Sequence, residues 1–478
     1  MTATSEICRL SAIEMARLVR AGELSAREAV AAHLDQIARV NPTVNAIVTL
    51  VAEQAMAQAR EADDRLARGG AAGPLHGLPI AHKDLQPTRG IRTTFGSPVF
   101  RNLVPSRDSL LVERIRSAGA ITIGKTNTPE FGAGAQTFNP VFGTTVNPYD
   151  VTKTCGGSSG GAAVALACGM LPLADGSDMG GSLRVPASFC NVVGLRTSPG
   201  RVPIWPAKLG WSTLSVDGPM ARSVADAAFF LSAIAGPDPR SPIALNDDPR
   251  RYAAPLGRDL TGVRVAWWTD LGGVLVDSRI RQAVNAQRRV FEALGCVVEE
   301  AEPDFGGADE VFRTVRALAF SAGLGDIVKP NRSVVKEAVV AEVDRGDRLT
   351  AVEIGQAEAR RTELYHRMRR FMERYEFFVL PVTQAPPFDA TQPYVTDIEG
   401  TPLRDYIDWL RSCYYISIVS NPAISVPCGF TPGGLPVGLQ IVGRHRDEWG
   451  LLQMAYAFEQ AAGVAPKWPA LAEADGAR

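Results

Sequence analysis

Apolar positions along the chain alternate between the spacing of helices and that of strands. The first 70 residues read as helical. Ser11-Ala-Ile-Glu14 and Ser25-Ala-Arg-Glu28 both fit the capping box, in which a hydroxyl and a carboxylate satisfy each other's free backbone donors. Asn41-Pro42 predicts the end of the second helix, and a further helix is predicted over Val51 to Arg68. LHGLPIAHKDL (75–85) then changes period, and its Leu78–Ile80 spacing suits a strand. Asp108 is placed to cap a helix running to Ser117, with Gly119 as its stop and AITIG (120–124) as the next strand.

The later chain repeats this alternation. VRVAW (263–267), a helix over Ser278–Leu294 and CVVEE (296–300) form another strand–helix–strand step. Residues 308–375 are mostly helical and charged. FFVLP (377–381), AISVP (423–427) and VGLQIVG (437–443) read as buried strands, and a last helix fits Trp449–Ala462. No fixed-period repeat, long linker or compositional break appears. The 478 residues would allow about three domains, but the unbroken pattern predicts one large α/β unit.

Composition narrows the function classes. Apolar residues are 46% and charged residues 21% of the chain, an ordinary globular balance. Fifty Lys and Arg against 51 Asp and Glu leave a net charge of −1, which disfavours nucleic acid or an anionic membrane surface as the main partner. The longest apolar stretch, Ala162–Ala174, holds Gly169 and Pro172 and falls short of the roughly 20 residues of a membrane span. The opening MTATSEICRLSAIEMARLVRAG has no signal-peptide core, since Glu6, Arg9 and Glu14 interrupt it. Seven scattered cysteines, without CxxC or a Cys/His cluster, suit reduced thiols in the cytoplasm and no zinc site.

Candidate chemistry concentrates in two glycine- and serine-rich segments. Thr154-Cys-Gly-Gly-Ser-Ser-Gly-Gly161 runs straight into the apolar AAVALA, so it opens a helix rather than joining domains. Asp175-Gly-Ser-Asp-Met-Gly-Gly-Ser-Leu-Arg184 places glycines before Ser182, a pattern that lets backbone N–H groups converge as an oxyanion hole requires. Asp178 and Arg184 flank that loop and are candidates to pair across it. A serine nucleophile needs a base. Among the five histidines, His33 reads as structural and His82 as packing on a strand beside Ile80. Lys83, at the end of an apolar strand, is the alternative: burial lowers an amine's pKa until it accepts a proton near neutrality.

These pieces, with their surroundings, resemble the amidase signature family of serine hydrolases. The resemblance lies in GLPIAHKDL (77–85), GKTNTPEF (124–131), FGTTVNPYD (142–150), the run from Cys155 to Arg196, and NPAISVPCGFTPGGLPVGLQIVGR (421–444). Lys83 precedes Ser158 by 75 residues and Ser158 precedes Ser182 by 24, as expected of that family. The resemblance implies a single domain over 1–478 with a central mixed, twisted β-sheet covered by α-helices on both faces. Within it, 1–70 would form a helical layer, 77–235 the signature core, 300–375 a helical region, and 377–460 the strands and helix that complete the core. It further implies Ser182 as nucleophile, Ser158 as bridging serine after a cis peptide bond, and Lys83 as base. The N–H groups of Met179, Gly180, Gly181 and Ser182 would form the oxyanion hole. Phe131–Gly134, with Phe131 and Gly132 foremost, would line the pocket beside the scissile amide. No cofactor or metal is implied, and the partner is a small-molecule amide, with a homodimer compatible.

The chain departs from the family's usual residues in two places. Leu195-Arg-Thr-Ser198 stands where a Lys-Pro-Thr run is common, and His82 stands where a small or apolar residue is usual. His82 either tunes Lys83 or simply packs. Two other activities compete. Gly157-Ser-Ser-Gly-Gly161 formally fits the nucleophile elbow of an α/β-hydrolase esterase, with Ser159 as nucleophile and His366 or His445 as base, although Val151–Cys155 makes a poor preceding strand. The family also contains the glutaminase component of a tRNA-dependent amidotransferase. This chain has Ser212-Thr-Leu-Ser-Val-Asp-Gly218 in place of the Ser-Leu-Asp-Gln run associated with that component. The third reading is a catalytically silent binding protein on the same fold. An aryl or medium aliphatic amide is the expected substrate, with Trp205, Trp211, Tyr414 and Tyr415 as candidates for lining its pocket.

Overall fold

Period-two and continuous apolar segments assemble into one eleven-stranded sheet in a computed structural model that describes residues 3–463 and 467–473. The strands are β1 (Ile47–Leu50), β2 (Pro79–Lys83), β3 (Ile121–Thr126), β4 (Leu173–Asp178), β5 (Val193–Arg196), β6 (Val216–Ala221), β7 (Arg264–Trp267), β8 (Val297–Glu300), β9 (Phe377–Pro381), β10 (Ala423–Phe430) and β11 (Pro436–Val442). Their spatial order is β1-β3-β2-β4-β6-β5-β10-β11-β9-β7-β8. Parallel pairing joins β2 to β3 and β4, and β7 to β8 and β9; the remaining neighbours are antiparallel. The sheet is therefore mixed, flanked by helices, and forms a single α/β domain. The ends of the anticipated 1–478 unit, and the first two residues of the opening segment, lie outside the described residues.

Central strands are buried on both faces, which explains why β3, β9 and β11 read as apolar runs without clean alternation. The helix Gly160–Ala167 is likewise buried at every position. Its glycines admit close backbone packing: a Cβ on Gly161 would lie 2.3 Å from the Asn127 amide nitrogen, just beyond β3. The Gly-Ser segment thus opens a central helix whose first turn abuts the end of β3.

Four local expectations change. The helix Ala26–Val44 runs through Pro42 and ends at Asn45 in the left-handed region, because Pro42 removes only its own donor one turn from the end. Ser25 forms the full capping box with Glu28, but Ser11 caps alone while Glu14 turns to Arg17. Ser109, not Asp108, caps Leu110–Ser117; Asp108 instead accepts from the Arg89 amide and from Arg116. The helix anticipated over 278–294 divides into Ser278–Asn285 and Arg288–Ala293, where Gln287 turns its side chain to the Cys428 carbonyl.

Candidate active site

Lys83 ends β2, and its side chain is fully buried. The Nζ atom donates to the hydroxyl oxygens of Ser158 at 2.8 Å, Ser159 at 2.9 Å and Ser177 at 3.0 Å. Three oxygens match the three donors of an ammonium group. A neutral amine has two donors and a lone pair, so one of the three hydroxyls must then donate to nitrogen. Burial pulls the Lys83 pKa from 10.5 down to about 7, against the opposing pull of Asp217, Asp178 and Asp175. Both states are accessible near neutral pH.

The Gly157–Ser158 peptide bond is cis. Ser158 and Ser159 both accept from the Lys83 amine, and Ser159 stands at the N-cap of Gly160–Ala167. Ser182 sits one short loop beyond β4, and its carbonyl accepts the Ser159 N–H at 3.2 Å. The Ser182 hydroxyl borders a small cavity and has no hydrogen-bond partner among the described residues. The anticipated Ser158–Ser182 hydroxyl contact is therefore not formed in this state. Catalytic hydrogen bonds in unliganded sites are commonly long or misaligned and tighten with substrate.

The loop from Met179 to Ser182 is held from behind by Asp178. Its fully buried carboxylate accepts from Arg184 at 2.9 Å and Arg196 at 3.1 Å, and from the backbone N–H groups of Gly181 at 2.9 Å and Leu183 at 3.1 Å. Burial alone would raise this carboxyl's pKa, but Arg184 and Arg196 outweigh it and hold the group well below the usual range. The anticipated Asp178–Arg184 pair thus exists, and it is buried rather than a surface pair. Two details correct the sequence reading. Gly181 does not offer its N–H to the cavity, because Asp178 takes it. The loop amides without an acceptor among the described residues are those of Met179, Gly180 and Ser182. Arg196, in the run that departs from the family, is the second counter-charge on Asp178.

Removing one partner of a buried charge cluster leaves the others uncompensated. Asp178→Ala is expected to cost about 3–5 kcal/mol of folding stability, read by denaturant unfolding. A loss below about 1 kcal/mol would contradict this role for Asp178.

The other anticipated residues divide. Gly132 lies against the site, where an added Cβ would sit 3.5 Å from the Ser158 hydroxyl oxygen. Phe131 adopts a left-handed conformation (φ 51°) and lines a second, larger cavity of about 400 Å³. Trp205 lines that larger cavity, and Tyr414 lines the smaller one while donating to Asp309 at 2.7 Å. Trp211 does not take part, being 78% exposed; Tyr415 packs on Phe305 instead. His82 is buried between Asp175 (2.6 Å) and Thr122 (3.1 Å), and Asp175 also accepts the Lys83 backbone N–H. It packs within the sheet, and Asp175 joins it to the Lys83 backbone. His33 contacts the Ala29 carbonyl within its own helix.

The esterase reading finds no histidine here. His366 is exposed, and His445 lies against Tyr365 beside a separate cavity. All seven cysteines are buried and unpaired. Among the described residues no cluster of three metal-binding side chains occurs, and no helix is long and apolar enough to cross a membrane.

The family model described as Amidase matches residues 28–452. The chain belongs to the amidase signature family. An acylamidase of Rhodococcus erythropolis is 37% identical over 464 residues, covering 96% of this chain and 97% of the relative. A component of the glutamyl-tRNA(Gln) amidotransferase of Geobacillus stearothermophilus is also 37% identical, covering 96% of this chain and 99% of the relative. A solved bacterial aryl acylamidase of the same family superposes with a TM-score of 0.90 at 26% identity, covering 97% of this chain and 98% of that one. This amidase is accordingly a hydrolase acting on amide C–N bonds.

Reasoning from the sequence missed Ser177 and Asp217 and left Ser159 only as the esterase's nucleophile. The signal for the first two was present as polar residues in buried strands: Asp175, Ser177 and Asp178 in β4, and Asp217 in β6. Their convergence on Lys83 required the β4–β6 register, which sets Ser177 opposite Asp217.

Proposed function

We propose that the protein hydrolyses a small carboxylic amide through an acyl-enzyme on Ser182, with Ser158 and Lys83 as the proton relay. The observation carrying this reading is the fully buried Lys83 amine 2.8 Å from Ser158 on the cis-linked loop beside Ser182. Neutral Lys83 takes the Ser158 hydroxyl proton as Ser158 takes that of Ser182. The Ser182 oxygen bonds to the amide carbon, and the carbonyl oxygen gains charge that the Met179, Gly180 and Ser182 N–H groups stabilise. The C–N bond then breaks while Ser158 returns a proton to the leaving nitrogen and recovers one from Lys83. Water cleaves the ester by the same route, with its proton passing to Ser158.

The larger cavity supports an aryl or medium aliphatic substrate, since Leu85, Leu111, Ile204, Trp205 and Phe320 make most of its wall apolar. A panel of anilides and alkyl amides tests this reading. Turnover of six-carbon or aryl amides at least tenfold above acetamide in kcat/KM is expected; equal rates would contradict it.

The second reading, the glutaminase of an amidotransferase, is favoured by the amidotransferase relatives spanning nearly the whole chain. It differs in its product: free glutamine would yield ammonia for a partner. The first reading predicts glutamine turnover at least about 100-fold below the best aryl amide, and no co-purifying partner. Efficient glutamine hydrolysis would reverse the choice.

A further inference from the structure

The larger cavity borders Ser177 and Met179, and its wall is mostly apolar. Two charged residues line it. Lys208 stands at the exposed rim and pairs with Asp326 at 2.7 Å. Asp217 is 5% exposed and has no arginine or lysine in salt-bridge contact among the described residues. The other aspartates near Lys83 have committed partners: Asp175 holds His82, and Asp178 holds Arg184 and Arg196. Asp217 has the Gln86 carboxamide as its side-chain partner, and Gln86 lines the same cavity.

The hydrogen-bond inventory of this pole is unbalanced. Once a Gln86 N–H donates to Asp217, the remaining carboxylate lone pairs and the Gln86 carbonyl are acceptors. A buried carboxylate with no cation in direct contact is costly, and a cation that reaches it lowers that cost. Buried acceptors on a mostly apolar wall complement a donor-rich group carried on an apolar chain. We propose that Asp217 and Gln86 form a recognition pole for a primary ammonium group carried by the substrate. The inference rests on the reading of this cavity as the substrate site.

The groups facing Asp217 set its titration. Burial raises its carboxyl from 3.8 to about 7, Asp175 on β4 pushes the same way, and Gln86, just beyond β2, and Lys83 on β2 oppose them. The carboxylate therefore forms as pH rises from 6 to 8, and ammonium recognition strengthens over the same interval.

Hexylamine, protonated throughout that interval, and 1-hexanol are matched probes that the enzyme does not hydrolyse. Calorimetry on the full-length wild-type protein at pH 8 is expected to show hexylammonium binding at least tenfold more tightly than hexanol. Its affinity should fall about tenfold by pH 6, while that of hexanol stays level. Asp217→Asn should shrink the margin to within twofold, with retained hexanol binding reporting an intact cavity. Both probes should compete with the amide substrate. Equal affinities in the wild type, a margin that survives Asp217→Asn, or non-competitive inhibition would overturn the proposal. If the variant does not fold, the wild-type pH series decides, and a flat margin overturns the proposal. Failure of the amidase mechanism is read separately, by loss of acylation at Ser182, and leaves these affinities unaffected.

Discussion

Replacing Ser182 with alanine lowers kcat for amide hydrolysis by about 10³- to 10⁶-fold, with little change in KM. The oxygen that attacks the carbonyl is lost, while the free Met179 and Gly180 amides and both cavities remain. The Ser182 hydroxyl has no hydrogen-bond partner among the described residues, so its removal strands no buried group. The variant should unfold at the wild-type denaturant midpoint. Steady-state kinetics beside an unfolding curve separates this outcome from a folding defect. A variant retaining more than a tenth of wild-type activity would place the nucleophile elsewhere, with Ser159 the nearest candidate.

Lys83→Met has the second large effect and a distinctive pH signature. Wild-type kcat/KM on an uncharged amide should rise about tenfold per pH unit below pH 6 and level off above about pH 7, as the amine loses its proton. The sign follows from burial: the charged form is disfavoured, so the base is available near neutrality rather than only above pH 10. Methionine keeps the length and apolar stem but cannot accept a proton. Turnover should fall by about 10³-fold or more, and the acid limb should vanish from whatever activity remains. Because Asp217 titrates in the same region, the limb should be measured in Asp217→Asn as well. Removing that negative charge should move the limb to lower pH, since Asp217 is the largest upward pull on Lys83. An acid limb that persists in Lys83→Met would assign the base to another group.

How much of this was visible in the residues varies with the distance over which each contact forms. Strand and helix positions were legible because apolar spacing is local, and seven of the eleven sheet strands fall on segments read as strands; Leu173–Asp178 lay instead in a segment read as a glycine-rich loop. Ends were less so: Pro42 lies inside its helix, and Ser109 rather than Asp108 caps the next. Both are decided by side-chain hydrogen bonds that apolar spacing does not encode, Asn41 accepting from the Ala46 and Ile47 amides in one case and Arg116 claiming Asp108 in the other. At the site, Lys83, Ser158 and Ser182 stood out through motif and spacing. What the sequence could not show was which loop amides remain free, because the Asp178 carboxylate claims that of Gly181 from beneath the loop. Nor could it show that Arg196 joins that cluster or that Asp217 lines a cavity with no salt-bridge partner among the described residues. Each depends on strands that meet only in the sheet.

Ser158, Ser159, Ser177 and Ser182 all fall on one tryptic peptide, between Lys153 and Arg184. The most direct test is therefore to label the wild-type enzyme with a fluorophosphonate, digest it, and fragment that peptide finely enough to separate the four serines. The account predicts a single adduct on Ser182, abolished by Ser182→Ala and slowed at least 100-fold by Lys83→Met. An adduct on Ser159, or labelling of Ser182 at an undiminished rate without Lys83, would contradict it.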